Sequence, residues 1–181
     1  MFRAPKVLEM NKLLIAVLLI CSISLMSSTS PNGDEIKWLT WQEAVELSKE
    51  SPKKIFVDVY TKWCGWCTRM DKTTFQDPAV VKYMNENFYA VKLDAEMKER
   101  IKFNNQEFKY VESGTKGVHT LAYSLLEGKM SYPSFVTLNE EFNRIAISPG
   151  YKKPDQLLKE LKFAADELYK DQSWNEYTGG Q

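Results

Sequence analysis

Histidine, cysteine and excess charge of either sign are all scarce in this 181-residue chain. One histidine and three cysteines leave too few nitrogen and sulfur ligands for a zinc site. Basic and acidic residues balance at 24 each, and no basic patch with interleaved aromatics offers a surface to nucleic acid. Long apolar runs are missing too. The longest, Leu13 to Met26, has serines inside it and falls short of the ~20 apolar residues a membrane helix needs. Two of the cysteines, Cys64 and Cys67, are only three positions apart, so they cannot staple distant segments as small secreted domains do.

What the N-terminal region does contain is a basic stretch (Arg3, Lys6, Lys12), the short apolar core Leu13–Ile20, and then Ser22, Ser24, Ser27 and Ser28. That order reads as a secretory signal peptide over residues 1–28, with Met10 an alternative start. Export to the periplasm follows, with an uncleaved membrane anchor as the alternative. Cys21 follows Ile20, where lipoprotein processing wants a small residue, so it reads as an apolar residue within the signal. Residues 29–35 are a polar linker, 36–170 a single domain, and 171–181 a polar tail carrying Trp174 and Tyr177.

Within the domain, Thr40-Trp41-Gln42-Glu43 matches a capping box opening an amphipathic helix. Residues 55–60 are an apolar run that reads as a buried strand, with Asp58 its only charge. A helix is expected from the cysteines to about Thr73, and another from Asp77-Pro78, an N-cap followed by proline at the first helical position. Phe88–Leu93 is the next strand. The charged stretch 96–109 reads as a solvated helix or loop, Phe108–Val111 as a short strand, and Val118–Glu127 as a helix ending at Gly128, with His119 a partly buried helix residue. Residues 134–138 and 144–147 flank a five-residue connection and predict a hairpin. A closing helix begins near Pro154, its stripe formed by Leu157, Leu158, Leu161, Ala165 and Leu168. The class is α/β, with a central mixed sheet flanked by helices.

Trp63-Cys64-Gly65-Trp66-Cys67 lies directly behind the buried strand, which places Cys64 at a strand-to-helix turn. A helix N-terminus there stabilises a thiolate. Strand, WCxxC turn, hairpin and closing helix together resemble the thioredoxin fold. The stretch from Thr74 to Val80 is similar to one in the C-terminal domain of the disulfide reductase DsbD and in small exported thioredoxin-like proteins. The resemblance implies a redox-active Cys64–Cys67 disulfide with no other cofactor, Cys64 attacking and Cys67 resolving. It implies a buried aspartate at Asp58 that relays a proton, and a lysine at Lys92 able to pair with it. Gly65 and Trp66 become the dipeptide that tunes redox potential, Trp63 part of the rim, and Tyr132-Pro133 a cis proline opening the hairpin strand opposite the dithiol, with an insertion before it.

The expected activity is reduction of disulfides in other proteins by a monomer, restored by an upstream thiol reductant and not stably inserted in a membrane. An oxidase or isomerase differs only in redox potential. A Cu(I) carrier using the two thiols is the alternative from another class. Phe108–Leu126 is expected to form a lid or partner surface near Trp66.

Overall fold

The computed structural model describes residues 35–114 and 116–179; the expected signal peptide, and all of the linker but Glu35, lie outside the described residues. Thr40 caps the first helix, α1 (Trp41–Glu50), accepting a hydrogen bond from the Glu43 N–H while the Glu43 carboxylate takes the Thr40 N–H. Strand β2 (Lys54–Tyr60) follows. Next come α2 (Gly65–Lys72) and α3 (Pro78–Asn87), the latter capped by Asp77, whose carboxylate accepts from the Ala79 and Val80 N–H groups. Strand β3 (Phe88–Asp94) completes the parallel half of the sheet, together with a two-residue strand β1 (Trp38–Leu39) that pairs with it. β1 is too short to show a period in sequence.

The hairpin β8 (Ser134–Leu138) and β9 (Arg144–Pro149) adds the antiparallel half, giving the order β1-β3-β2-β8-β9. The mixed α/β thioredoxin-like sheet is therefore present as expected. Strand alternation divides the core. Ile55, Val57 and Val59 of β2 face one hydrophobic cluster with Trp41, Leu121 and Leu126. Phe56 faces the other, where Met70 of α2, Val80, Val81 and Met84 of α3, Phe135 of β8, and Leu157 and Leu161 of α5 (Pro154–Ala165) pack together. Phe56 stacks on Phe135, and Phe75 meets both rings edge-on.

The segment between β3 and β8 departs from the sequence reading. The charged stretch is neither a helix nor an open loop. It holds a hairpin of β4 (Ile101–Phe103) and β5 (Gln106–Phe108), closed by Asn104 and Asn105 at positive φ. Phe108–Val111 is not one strand: Phe108 ends β5, and Tyr110 starts a second hairpin, β6 (Tyr110–Ser113) with β7 (Lys116–His119). In that hairpin Gly117 lies under the Tyr110 ring, where a Cβ would come within 2.3 Å of it. Helix α4 (Thr120–Leu125) is correspondingly shorter than expected, with Gly128 at φ +75° in the turn beyond it.

His119 is fully buried at the end of β7 rather than half-buried in a helix. It caps α4: its Nδ1 accepts the Leu121 N–H, and Nε2 meets the Glu99 carbonyl. Burial pushes its pKa down, against the opposing pull of Glu99. At the other end of the chain, Ser173 and Glu176 form a capping box for α6 (Trp174–Thr178), which packs Trp174 and Tyr177 on Phe163 of α5.

Of the expected α5 stripe, Leu157 and Leu161 are fully buried, whereas Leu158 is partly covered and Leu168 lies beyond the helix in a short 3₁₀ turn. Leu161→Ala is expected to lower unfolding free energy by about 3 kcal/mol, and Leu47→Ala on the exposed face of α1 by less than about 0.5 kcal/mol. Denaturant titration of the two variants checks the contrast.

Candidate active site

Cys64 sits where β2 has ended and α2 begins. Its backbone N–H donates to the Thr61 carbonyl across the intervening turn, and Cys64 itself is the N-cap of α2. Cys64 and Cys67 are joined in a disulfide, and the Cys64 Sγ accepts the Cys67 N–H at 3.1 Å. That N–H belongs to the first turn of the helix, where no upstream carbonyl is available to it. On reduction the same donor and the helix dipole favour a thiolate on Cys64. Both cysteines are nearly buried, while the tryptophans before and between them stand out, Trp63 at 57% and Trp66 at 55% exposure. A Cβ on Gly65 would meet nothing within 4 Å, so the surface between the two tryptophans is open.

The rim is assembled from four parts of the chain. Trp63 donates its indole N–H to the Glu96 carboxylate at 3.0 Å, meets the Tyr132 ring edge-on, and is covered on one face by the Lys116 ammonium at 4.2 Å from the ring centre. Trp66 leans on Tyr151, and the Arg69 guanidinium lies over both of those rings. The insertion thus meets the site at Trp63, through Glu96 and Lys116, and not at Trp66 as expected. The Tyr132–Pro133 peptide bond is cis. Ser134 pairs with Val59 near the end of β2, so Tyr132 and Pro133 run on beside the Thr61–Cys64 turn. Burial, then the nearby Glu96 and Asp94 charges, push the Tyr132 phenol up to about 12.

Behind the dithiol lies a buried ion pair. Asp58 alternates onto the same sheet face as Phe56, the face that α2 covers, and stands in register with Lys92 of β3 and Phe135 of β8. The Lys92 ammonium donates to Asp58 Oδ2 at 2.7 Å. It also donates to Asp71, one turn beyond Cys67 on α2, and sits among the rings of Trp38, Tyr60 and Phe75 at 4.8–5.2 Å. Asp58 is 1% exposed, and burial raises its pKa to about 6 despite the opposing pull of Lys92. Burial pulls Lys92 down, but its two carboxylates outweigh that and raise it, so it stays charged.

A cleft of about 520 Å³ runs beside the pair, its wall including Tyr60, Lys62, Lys92, Asp94, Glu96 and Tyr110. Solvent therefore reaches Lys92 from one side while Asp58 holds it from the other. Among the described residues no cluster of three or more acidic, histidine or cysteine side chains is placed to hold a metal ion.

The sequence reading named Cys64, Cys67, Asp58, Lys92, Trp63, Gly65, Trp66, Tyr132 and Pro133: Trp63 to Cys67 form the turn and helix start, Tyr132 and Pro133 run beside it, and Asp58 and Lys92 pair on the sheet face that α2 covers. It missed Asp71, Glu96, Lys116, Tyr151 and Arg69. Asp71 had a usable signal: four residues past Cys67 puts it on the same helix face. Glu96 and Lys116 had none, because loop geometry brings them to Trp63.

Residues 27–139 match the family model Thioredox_DsbH, described as a protein of unknown function, DUF255. Spermatogenesis-associated protein 20 of Mus musculus is 37% identical over 62 residues, 34% of this chain and 8% of that protein. Thiol:disulfide interchange protein DsbD of Vibrio vulnificus is 36% identical over 45 residues, 25% of this chain and again 8% of that protein. These matches span less than a tenth of the length of either curated relative. The solved structure of a DsbH oxidoreductase superposes with a TM-score of 0.53 at 18% identity, covering 78% of this chain and 92% of that one; at that identity it shows the fold.

The buried carboxylate carries a pH signature. Because its pKa is higher folded than unfolded, Asp58 adds stability that is fully present below about pH 4 and lost as pH rises through about 6. Replacing it by Asn removes that loss. Between pH 4 and pH 7, Asp58→Asn is expected to gain roughly 2–3 kcal/mol relative to the parent, measured by denaturant unfolding of the oxidised proteins.

Proposed function

The chain belongs to the Thioredox_DsbH family of thioredoxin-like proteins, and we propose that it is an exported thiol–disulfide oxidoreductase that reduces disulfides of other proteins. One observation carries the reading: a disulfide between an N-capping cysteine and the cysteine one turn later, with one exposed tryptophan just before it and another between its two cysteines. In the reduced protein the Cys64 thiolate attacks one sulfur of a substrate disulfide. A mixed disulfide forms and the other substrate sulfur leaves as a thiolate, which takes up a proton. Cys67 gives its proton to Asp58, and its thiolate attacks the Cys64 Sγ. The Cys64–Cys67 bond closes and the second substrate sulfur leaves. Two electrons have passed to the substrate, and a dithiol reductant returns two to the chain.

Asp58 and Lys92 are assigned to the proton step, with Asp58 as the general base for Cys67. Trp63, Gly65, Trp66, Tyr132 and Pro133 form the surface on which the substrate chain lies. The likeness to a thiol:disulfide interchange protein supports thiol-redox partner proteins. The periplasm is assigned from the basic-apolar-serine order of residues 1–28. No described helix is long and apolar enough to cross a membrane.

Cys67→Ala is expected to accumulate reductant-sensitive mixed disulfides on Cys64 when the chain is expressed with its N-terminal region, and Cys64→Ala/Cys67→Ala to accumulate none. Non-reducing gels and mass spectrometry of the captured adducts read this out. No adducts on Cys67→Ala, together with no turnover of insulin disulfides by the parent, would sink the assignment. Stoichiometric copper in the purified chain without turnover would point to the carrier instead.

A further inference from the structure

The Lys92 ammonium is divided between two carboxylates of different surroundings. Asp58 gives it only Oδ2; Oδ1 is buried and meets no donor among the described residues. Asp71 takes another of its N–H groups from the solvent side, with its own side chain 45% exposed. A buried carboxylate that answered fully to one lysine would be neutralised by it and have both oxygens satisfied. Here the three groups carry a net single negative charge, so one added proton brings the site to neutrality. That proton goes to Asp58, because its ionised form is the one deprived of water, whereas Asp71 remains hydrated.

We propose that Asp71 is a positioning residue for the buried acid: by holding the outer side of the Lys92 ammonium, it stops Lys92 from neutralising Asp58 and so keeps Asp58 able to take up a proton. Without the Asp71 charge, Lys92 and an ionised Asp58 already balance. Protonating Asp58 would then leave an uncompensated cation among Trp38, Tyr60 and Phe75. Direct repulsion from Asp71 acts with the same sign, since it too favours the protonated Asp58.

The remaining groups around Asp58 do not supply this effect. The β8 residue opposite it, Phe135, has no charge. Tyr60, two residues along β2, has its phenol pushed up by burial and then by Asp94, and stays neutral. The use of the proton in turnover rests on the dithiol reading above; the sharing of Lys92 does not.

The test follows the Asp58 carboxyl by carbon NMR in oxidised protein with labelled aspartate, its signal assigned by loss in Asp58→Asn. The parent midpoint is expected at about 6. Asp71→Asn is expected to lower it by about one pH unit, and Asp71→Glu, which keeps the charge, to leave it within about 0.3. Asp71→Ser repeats the neutral substitution with a different shape. A midpoint unchanged or raised in the neutral variants overturns the proposal, as does an equal shift in Asp71→Glu.

The acid limb of the pH–rate profile for insulin reduction is expected to move down by the same amount in Asp71→Asn. If that limb stays put while the carboxyl midpoint moves, use of the proton in turnover is overturned. If no variant and not the parent turns over, with the midpoint shift intact, the proposed function fails and the sharing of Lys92 stands.

Discussion

The burial of Asp58 is the constraint to which the rest of the site answers. A carboxylate 1% exposed between Phe135 and the dithiol helix is tolerated only with a cation beside it, and the parallel register of β2 and β3 delivers Lys92 to that place. Lys92 in turn needs its alkyl stem covered and its ammonium faced by rings or oxygens, which Trp38, Tyr60, Phe75 and Asp71 supply. Two of those four lie on or just after α2, so the ion pair also fixes how the helix bearing the cysteines rests on the sheet. Replacing the pair by hydrophobic residues of similar volume would cost the fold little. It would remove the base proposed for Cys67.

Much of this was legible in sequence because it follows local rules. The capping box at Thr40, the Asp77-Pro78 start of α3, the apolar run of β2 and the five-residue hairpin connection each carry their signal within a few residues. Asp58 was visible as a single charge in an apolar strand. Its raised pKa could not be read there, since that depends on the helix and strand laid over it. The insertion was misread because its strands are three or four residues long, too short for alternation to show, and so rich in charge that composition pointed to a solvated helix or loop. His119 was misplaced for a related reason. A histidine preceding Leu121 and Leu125 looks like part of their helix, yet its ring does the work of a cap, taking the Leu121 N–H.

The site therefore divides by how it is encoded. Cys64, Cys67, Asp58 and Lys92 are held by sheet register and helix start, features that any insertion elsewhere leaves alone. The Trp63 side of the rim is held by loops: Glu96 just after β3, Lys116 at the start of β7, Tyr132 before β8. Trp63 is highly exposed yet contacted at its N–H, one face and one edge, so it stands as a fixed wall and not as a free side chain. On the opposite side, Trp66 is met by Tyr151 and Arg69.

That division bears on how a partner would be selected. The thiol exchange itself needs in-line access to the Cys64 sulfur and little more; the neighbouring backbone at Gly65 is uncrowded, since a Cβ there would meet nothing within 4 Å. Discrimination must then come from what borders the sulfur. The two borders differ in kind: one is an indole pinned by a carboxylate and an ammonium, the other an indole tilted against a phenol under a guanidinium. A partner segment lying across Cys64 would meet a polar, braced wall on the insertion side and a softer cationic-aromatic one on the α2 side. Glu96 belongs to both settings, bracing Trp63 and lining the cleft beside Lys92, so a sequence change there reaches the border of the sulfur and the surroundings of the ion pair together.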